Sequence, residues 1–203
     1  MATTKVDVNL IGATGTPGSG NFLRGDGSWQ AAGGDGWAFV SSQSASSSAS
    51  ITFTGFVTGF DYLVCAWNVV LATDGAWYGA RMGISSGPTI RSTGYLGIGS
   101  GVSETPAITQ DHDSTFIDMV GSSSGNSTDE KAHHQAVFFE PAASSHKTAV
   151  LGNWFMHNSA SLLSAGCLGG NYNTAEAHDR VQFIANSGNI TSGEYYLYKR
   201  ANA

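Results

Sequence analysis

Apolar residues recur at every second position in short segments after residue 50. In 77–84, for example, Tyr78, Ala80 and Met82 alternate with small or polar residues. A period of two predicts a β-strand with one buried face, and no segment shows the 3.6-residue period and capping residues of a helix. The predicted strands are 51–56, 62–71, 77–84, 115–120, 134–140, 149–157, 180–185 and 194–200.

Two segments depart from simple alternation. Segment 62–71, YLVCAWNVVL, is apolar on both faces, which predicts a central strand that is covered on both sides. Seven of the ten residues in 41–50 are serine, so this segment is too polar for a core. It predicts either an exposed loop or a polar edge strand that leads into Ile51.

The number and spacing of the strands predict the fold class. Eight or nine short strands separated by Gly, Ser and Asn turns indicate an all-β sandwich. The long intervals 85–114 and 121–133 argue against a simple meander and favour a jelly roll, in which strands cross between two sheets. We therefore expect a jelly-roll-like antiparallel β-sandwich over residues 37–203.

Residues 1–36 predict an extended N-terminal arm rather than part of the sandwich. Segment 4–11 alternates as a strand does, but it stands alone before a Gly-rich stretch, and a lone strand needs a sheet to join. The arm either adds to the sheet of a partner or folds back on its own domain. Glycines at 33, 34 and 36 form the joint to the body.

The string FLRGDGSW at 22–29 combines turn residues with apolar residues that have no local core. Its Arg-Gly-Asp tripeptide is formally integrin-like, but Gly-Asp-Gly is also an ordinary tight turn, which is the interpretation we adopt. We expect the apolar side chains to dock on another chain, so that this string serves as an anchoring joint. Its residues are Phe22, Leu23, Arg24, Gly25, Asp26, Gly27 and Trp29. The string resembles a motif of bacteriophage tail-fibre and other virion proteins, in which Thr is common in place of Ser28.

A second resemblance covers roughly residues 60–200. FDYLVCAWNVVLATDGAWYGARMGISSG, followed near the end by RVQFIANSGNITSGEYYLYKR, is similar to a phage-associated β-domain family found in predicted tail and virion proteins. The chain keeps the Asp74-Gly75 turn and Arg81, but it ends in LYKR where that family has LYG. In the final segment, Tyr195 and Leu197 are expected on one face and Tyr196 and Tyr198 on the other.

These resemblances imply a virion structural protein that is assembled in the host cytoplasm. We expect a homotrimer, attached to other virion proteins through its arm, that acts as a short tail fibre or receptor-binding protein contacting a host glycan or protein. The alternative is a head decoration or cement protein whose arm lies on the capsid lattice.

Charge and composition exclude several other partners. Asp, Glu, Lys and Arg make up 12% of the chain, its formal net charge is -6, and no basic cluster occurs, which disfavours nucleic-acid binding. The N-terminus has neither the basic nor the apolar region of a signal peptide, so we expect synthesis in the cytosol without signal-dependent export. No apolar run is long enough to span a bilayer.

Metal-binding and redox motifs are weak. Cys65 and Cys167 lie in apolar contexts, which favours buried free thiols, although neighbouring strands would permit a disulfide. His133 and His134 would point to opposite faces of a strand and could not share a metal within one chain, but a threefold axis could gather one histidine from each copy. The loop Asp111-His112-Asp113 has suitable ligand types, yet a solvated loop is the commoner outcome. We assign no metal and no cofactor.

Enzyme activity is not expected. The chain has no GxSxG, HExxH or P-loop motif, and the acidic pair Glu176 and Asp179 is too common a pattern to indicate a glycosidase. Sugar stacking on aromatic residues is the one binding chemistry left open, with core filling as the ordinary role of these residues. Trp77 and Arg81 share a strand face with two glycines and are the predicted surface ligand contacts.

Overall fold

The computed structural model describes residues 21–23, 28–31, 36–84, 89–103, 108–111 and 115–202. The chain divides into two units, Met1–Gly36 and Trp37–Ala203. In the first unit the described residues form an antiparallel hairpin of β1 (Asn21–Leu23) and β2 (Trp29–Ala31), with Leu23 paired to Trp29. Segment 4–11 and residues 24–27 lie outside the described residues.

The second unit consists of strands, and its described residues contain no helix. In chain order the strands are β3 (Ala38–Ser48), β4 (Ile51–Thr54), β5 (Phe60–Leu71), β6 (Tyr78–Ile84), β7 (Thr89–Ile90), β8 (Tyr95–Ser103), β9 (Ile108–Asp111), β10 (Ile117–Asp118), β11 (Ala132–Phe139), β12 (Lys147–His157), β13 (Leu163–Ala175), β14 (Arg180–Ala185) and β15 (Ile190–Ala201).

These strands form two sheets. The large sheet has the order β3-β15-β5-β11-β12-β13-β8-β9, and the small sheet has the order β10-β6-β14-β4, with β7 paired to β6. All of these pairs are antiparallel. The sheets pack face to face, which confirms the predicted jelly-roll-like antiparallel β-sandwich.

An aromatic cluster occupies the middle of the core. Tyr78 and Phe183 of the small sheet meet His134 and Tyr195 of the large sheet, with ring centroids 5.4–6.2 Å apart. The Tyr78 and Tyr195 hydroxyl groups lie 3.0 Å apart and share a hydrogen bond. Burial confirms two sequence predictions, because His133 and His134 face opposite sides of β11, and Tyr195 and Leu197 are buried while Tyr196 and Tyr198 are not.

Several strands differ from the predictions. The serine-rich segment is the polar edge strand β3, and 115–120 contributes only the two-residue strand β10. Strands β8 and β13 were missed because glycine takes most inward positions of β8, and Gly166 and Gly170 of β13 stand between Ser164, Leu168 and Tyr172, so that apolar residues do not alternate regularly. The Trp154 ring occupies the space above Gly101 of β8, in which a Cβ atom would collide with it.

Segment 62–71 is a central strand, as predicted, and its last three residues, 69–71, are buried on both faces. The predicted cover on both sides is wrong for residues 63–67 in a single copy of the chain. Tyr62, Val64 and Ala66 of β5 are buried against the small sheet. On the other face of β5, Leu63 and Cys65 are half-buried and Trp67 is exposed. The apolar pattern on this second face therefore has no explanation inside the sandwich.

Candidate interaction surface

The side of the large sheet turned away from the small sheet, which we call the outer face, carries most of the exposed apolar side chains among the described residues. Seven large hydrophobic residues lie there with between 36% and 66% of their surface exposed. They are Phe39, Trp67, Leu96, Ile98, Val102, Leu151 and Phe155. An apolar patch this broad on a sheet is typical of a surface that binds another protein.

The strand register arranges the middle of the outer face in three rows that run across the strands, with Leu96 in a further row beyond them. The apolar row is Leu63, Val137, Leu151 and Ile98, with Gly169 between the last two. The amide row is Cys65, Gln135, Asn153, Cys167 and Ser100. The aromatic row is Trp67, His133, Phe155, Ala165 and Val102. The amide row thus runs between two rows of apolar character.

Charge is nearly absent from five neighbouring strands of this surface. On the five strands β5, β11, β12, β13 and β8, the only Asp, Glu, Lys or Arg residues are Asp61 and Lys147, each near the end of its strand. Asp61 is buried and accepts hydrogen bonds from Arg200 at 3.0 and 3.2 Å. The charge of the outer face lies mainly on β15, where the exposed Glu194 pairs in register with Trp67 and Arg200 pairs with Asp61 near the strand end. The five uncharged strands favour a partner that is also neutral at the contact.

The aromatic row is continuous. The Trp67 and His133 rings are 5.9 Å apart, and those of His133 and Phe155 are 6.0 Å apart. Burial and the nearby positive charge of Lys131 lower the pKa of His133, so the ring is neutral at pH 7. Neutral His133 keeps the row uncharged.

The two cysteines are free thiols in the amide row. Cys65 on β5 and Cys167 on β13 are separated by β11 and β12, about 14 Å at the usual strand spacing, so no disulfide forms within the chain. Cys65 is partly buried, which raises the pKa of its thiol. The expectation of two buried thiols is wrong for Cys167, which is exposed because its side of β13 faces outward.

Trp77 and Arg81, the predicted surface ligand contacts, lie on the outer side of the small sheet. Trp77 is half-buried, and Arg81 donates from Nε to the Thr115 carbonyl at 2.9 Å. The buried Phe116 ring lies against Gly79, between these two positions on the strand. The carbonyl contact fixes the Arg81 guanidinium against the 115–116 segment.

Of the predicted joint residues, Phe22 and Leu23 lie on β1 and Trp29 lies on β2. Arg24, Gly25, Asp26 and Gly27 lie outside the described residues, as do His112 and Asp113 of the proposed loop ligand set. Within the described ranges, no three His, Cys, Asp or Glu side chains gather as metal ligands. No described helix is long and apolar enough to cross a membrane.

A hydrogen-bond chain links the half-buried Glu176 to the buried His178 and Thr148. Arg91 donates to both Glu176 oxygens at 2.6 and 2.5 Å, which lowers the pKa of that carboxyl. Glu176 accepts from His178 Nε2 at 3.3 Å, so His178 Nδ1 accepts the Thr148 hydroxyl at 2.8 Å. Burial lowers the pKa of His178 and keeps the ring neutral.

A hydroxyl, an imidazole and a carboxylate in series form the usual nucleophile arrangement of a hydrolase. Here the Thr148 side chain is fully buried, and its hydroxyl also lies 3.4 Å from the Pro141 carbonyl. A substrate cannot reach the hydroxyl in this structure. The chain of hydrogen bonds instead fastens the loop after β11 to the ends of β12 and β13.

Replacement Thr148→Val tests this structural role. The variant is expected to lower the free energy of unfolding by about 1–3 kcal/mol, because it leaves a buried imidazole nitrogen without a partner. The matched control Thr148→Ser keeps the hydroxyl and should retain most of the stability. The comparison is made by urea denaturation at pH 7, and equal stability of the valine variant and the wild type would contradict the assignment.

Sequence reasoning missed the outer face because its strands β8 and β13 were not recognised. One signal was present, since residues 132–175 contain only Glu140 and Lys147 as charged side chains. Charged side chains are rarely fully buried, so a long stretch of strands without them predicts that the second face of the sheet is also covered. Comparison with protein-family models and with curated proteins finds no match to this chain.

Proposed function

We propose that this chain is a structural protein of a bacteriophage virion, a short tail fibre or receptor-binding protein that works as a homotrimer. The outer face is the observation that carries the proposal. A β-sandwich with a broad apolar surface, of which five neighbouring strands carry almost no charge, suits a protein whose copies assemble with one another. The resemblance of FLRGDGSW to tail-fibre sequences supports the proposal that the protein is part of a virion.

Residues 1–36 serve as the attachment to the rest of the virion in this proposal. They precede the body, and the described part of this unit is the β1–β2 hairpin with Leu23 opposite Trp29. The body then presents its loops to the host surface, where a glycan or a protein is the receptor. Phage particles assemble in the host cytoplasm, and the protein functions in the released virion.

Deletion of residues 1–29 tests the attachment. The truncated chain is expected to fold, because the two sheets of the body are made from residues 38–201. It should be lost from purified virions, as measured by immunoblotting of gradient-purified particles. Incorporation at the wild-type level would contradict an anchoring arm.

Immunogold labelling of intact virions tests the location. Labels at the tail tip would support a tail fibre. Labels over the head would contradict a tail fibre and would support a head decoration protein. Purified body should also reduce phage adsorption to host cells if it carries the receptor-binding surface. A tail-tip label without this competition would support a fibre that does not bind the receptor itself.

A further inference from the structure

The outer face has the composition of a covered surface, and the sequence of β5 shows this most clearly. Its second face carries Leu63, Cys65 and Trp67, yet Trp67 is 36% exposed. Ile98, Val102 and Leu151 are exposed by 66%, 64% and 58%. Aliphatic side chains offer no hydrogen bonds to a sugar, so an apolar protein surface suits this face better than a glycan.

The three rows of the outer face determine which chemical groups the partner surface must carry. It has to present apolar side chains to the apolar row and to the aromatic row, and hydrogen-bonding groups to the amide row between them. A second copy of this chain presents the same three rows. Gln135 and Asn153 amides can both donate and accept, so copies of the amide row satisfy one another.

We infer that the outer face is the seam of a homotrimer, with the threefold axis running along the amide row. This inference rests on the proposed function, which already includes a homotrimer. It adds that the copies meet through their outer faces and that the threefold axis follows the amide row. The apolar row of each copy contacts the aromatic row of the next copy, and the three amide rows surround the axis. The contact joins two different rows, as a closed ring of three requires.

The dimensions of the face fit this arrangement. Adjacent rows are two residues apart, about 7 Å, so three rows with their margins span about 20 Å. Three such faces in a triangle place the axis about 6 Å above each backbone, within reach of glutamine and asparagine side chains. The three rows cross five strands, which span about 24 Å and give on the order of 480 Å² of flat area per copy, the same order as the ~800 Å² per partner of a standard interface.

The shape of the outer face also suits contact between the apolar row of one copy and the aromatic row of the next. In the apolar row, Gly169 leaves a gap between Leu151 and Ile98. A shallow depression of about 380 Å³ lies beside Leu63, Val137 and Leu151. Large side chains of the neighbour's aromatic row, Trp67 and Phe155 among them, can fill such gaps. Lys147 and Asp61 near the strand ends lie outside the three rows, and Glu194 of β15 lies beside Trp67 at the margin of the aromatic row.

Native mass measurement of a charged variant tests the seam. The full-length wild type is expected at three times 21.1 kDa, and Leu151→Asp should reduce the trimer at least a hundredfold in association constant, leaving a folded monomer. The matched control is Val57→Asp, which places the same charge at a 48% exposed valine outside the face and should stay trimeric. Circular dichroism establishes that both variants remain folded.

Thiol cross-linking tests the axis, because Cys65 and Cys167 belong to the amide row. Around a threefold axis each cysteine meets its own equivalents in the other copies. A short bismaleimide should therefore link chains of Cys167→Ser through Cys65, and chains of Cys65→Ser through Cys167. Cross-linking only when both cysteines are present would overturn the axis, since Cys65 would then face Cys167 of a neighbour.

The outcomes separate this inference from the proposed function. A trimer that survives Leu151→Asp overturns the seam and leaves the homotrimer intact. A wild type that is monomeric at micromolar concentration overturns the homotrimer itself, and with it the seam. A stable dimer overturns the threefold axis in favour of two identical faces in contact. A trimer lost only in Leu151→Asp, with both single-cysteine cross-links, supports the inference.

Discussion

Trp154→Ala is expected to lower the free energy of unfolding by about 3–5 kcal/mol, the usual cost of deleting a buried tryptophan. The Trp154 side chain is 3% exposed on the inward side of β12, and its Nε1 donates to the Cys167 carbonyl at 3.3 Å. Its ring fills the space above Gly101 and Gly121, where other side chains are absent. Urea denaturation monitored by circular dichroism measures the loss.

A double-mutant cycle with Gly121→Ala makes the prediction specific. A Cβ atom at residue 121 would lie 2.6 Å from Trp154 Cζ2, so the alanine should cost about 1–3 kcal/mol in the wild type. In the Trp154→Ala background the same alanine enters empty space, and its cost should vanish. Gly36→Ala, with no atom within 4 Å of the added Cβ, is the control for a neutral change. Additive costs at 121 and 154 would contradict the packing.

Acid should destabilise the body through His134. The ring is buried between Tyr78 and Phe183, and neither nitrogen has a hydrogen-bond partner among the described residues. Burial, together with the charge of His133, lowers the pKa of His134 to about 3. The unfolded chain therefore binds a proton below pH 6.5 that the folded chain excludes. Stability is full above pH 6.5 and falls by about 1.4 kcal/mol per pH unit between 6.5 and 3.

His134→Phe should remove most of this slope. Phenylalanine fills a similar volume without the two unpartnered nitrogen atoms, so the variant is expected to be at least as stable as the wild type at pH 8. Denaturation at pH 8, 6, 5 and 4 measures the difference in slope. A remaining slope is expected from His178, whose pKa is also lowered by burial. Equal slopes for the variant and the wild type would contradict a neutral buried His134.

The sequence predicted the sandwich well where inward positions are apolar. Alternation in β12 and β15 matches the observed burial, because each strand has one face against the core. Strands β8 and β13 could not be recognised, since their inward glycines leave room for Trp154 and for the 116–118 segment. Packing across the sandwich decides these positions, and it is not visible in a local pattern.

The candidate surface was predicted only in part. The apolar second face of β5 was read from the sequence, whereas the rows depend on the order β5-β11-β12-β13-β8, which no local pattern gives. Trp77 and Arg81 were selected because glycines flank them, but those glycines hold Phe116 and the Arg180 side chain. The residues of FLRGDGSW at 24–27 remain a prediction.

The body builds each of its two sheets from strands of one chain, and this determines the order of events during assembly. Folding of the core is unimolecular, because the described strands of one chain complete both sheets. In the proposed homotrimer, association is therefore a separate step whose rate rises with protein concentration. A cell that makes many copies quickly would accumulate folded single chains first, and the supply of those chains would set the rate at which trimers form.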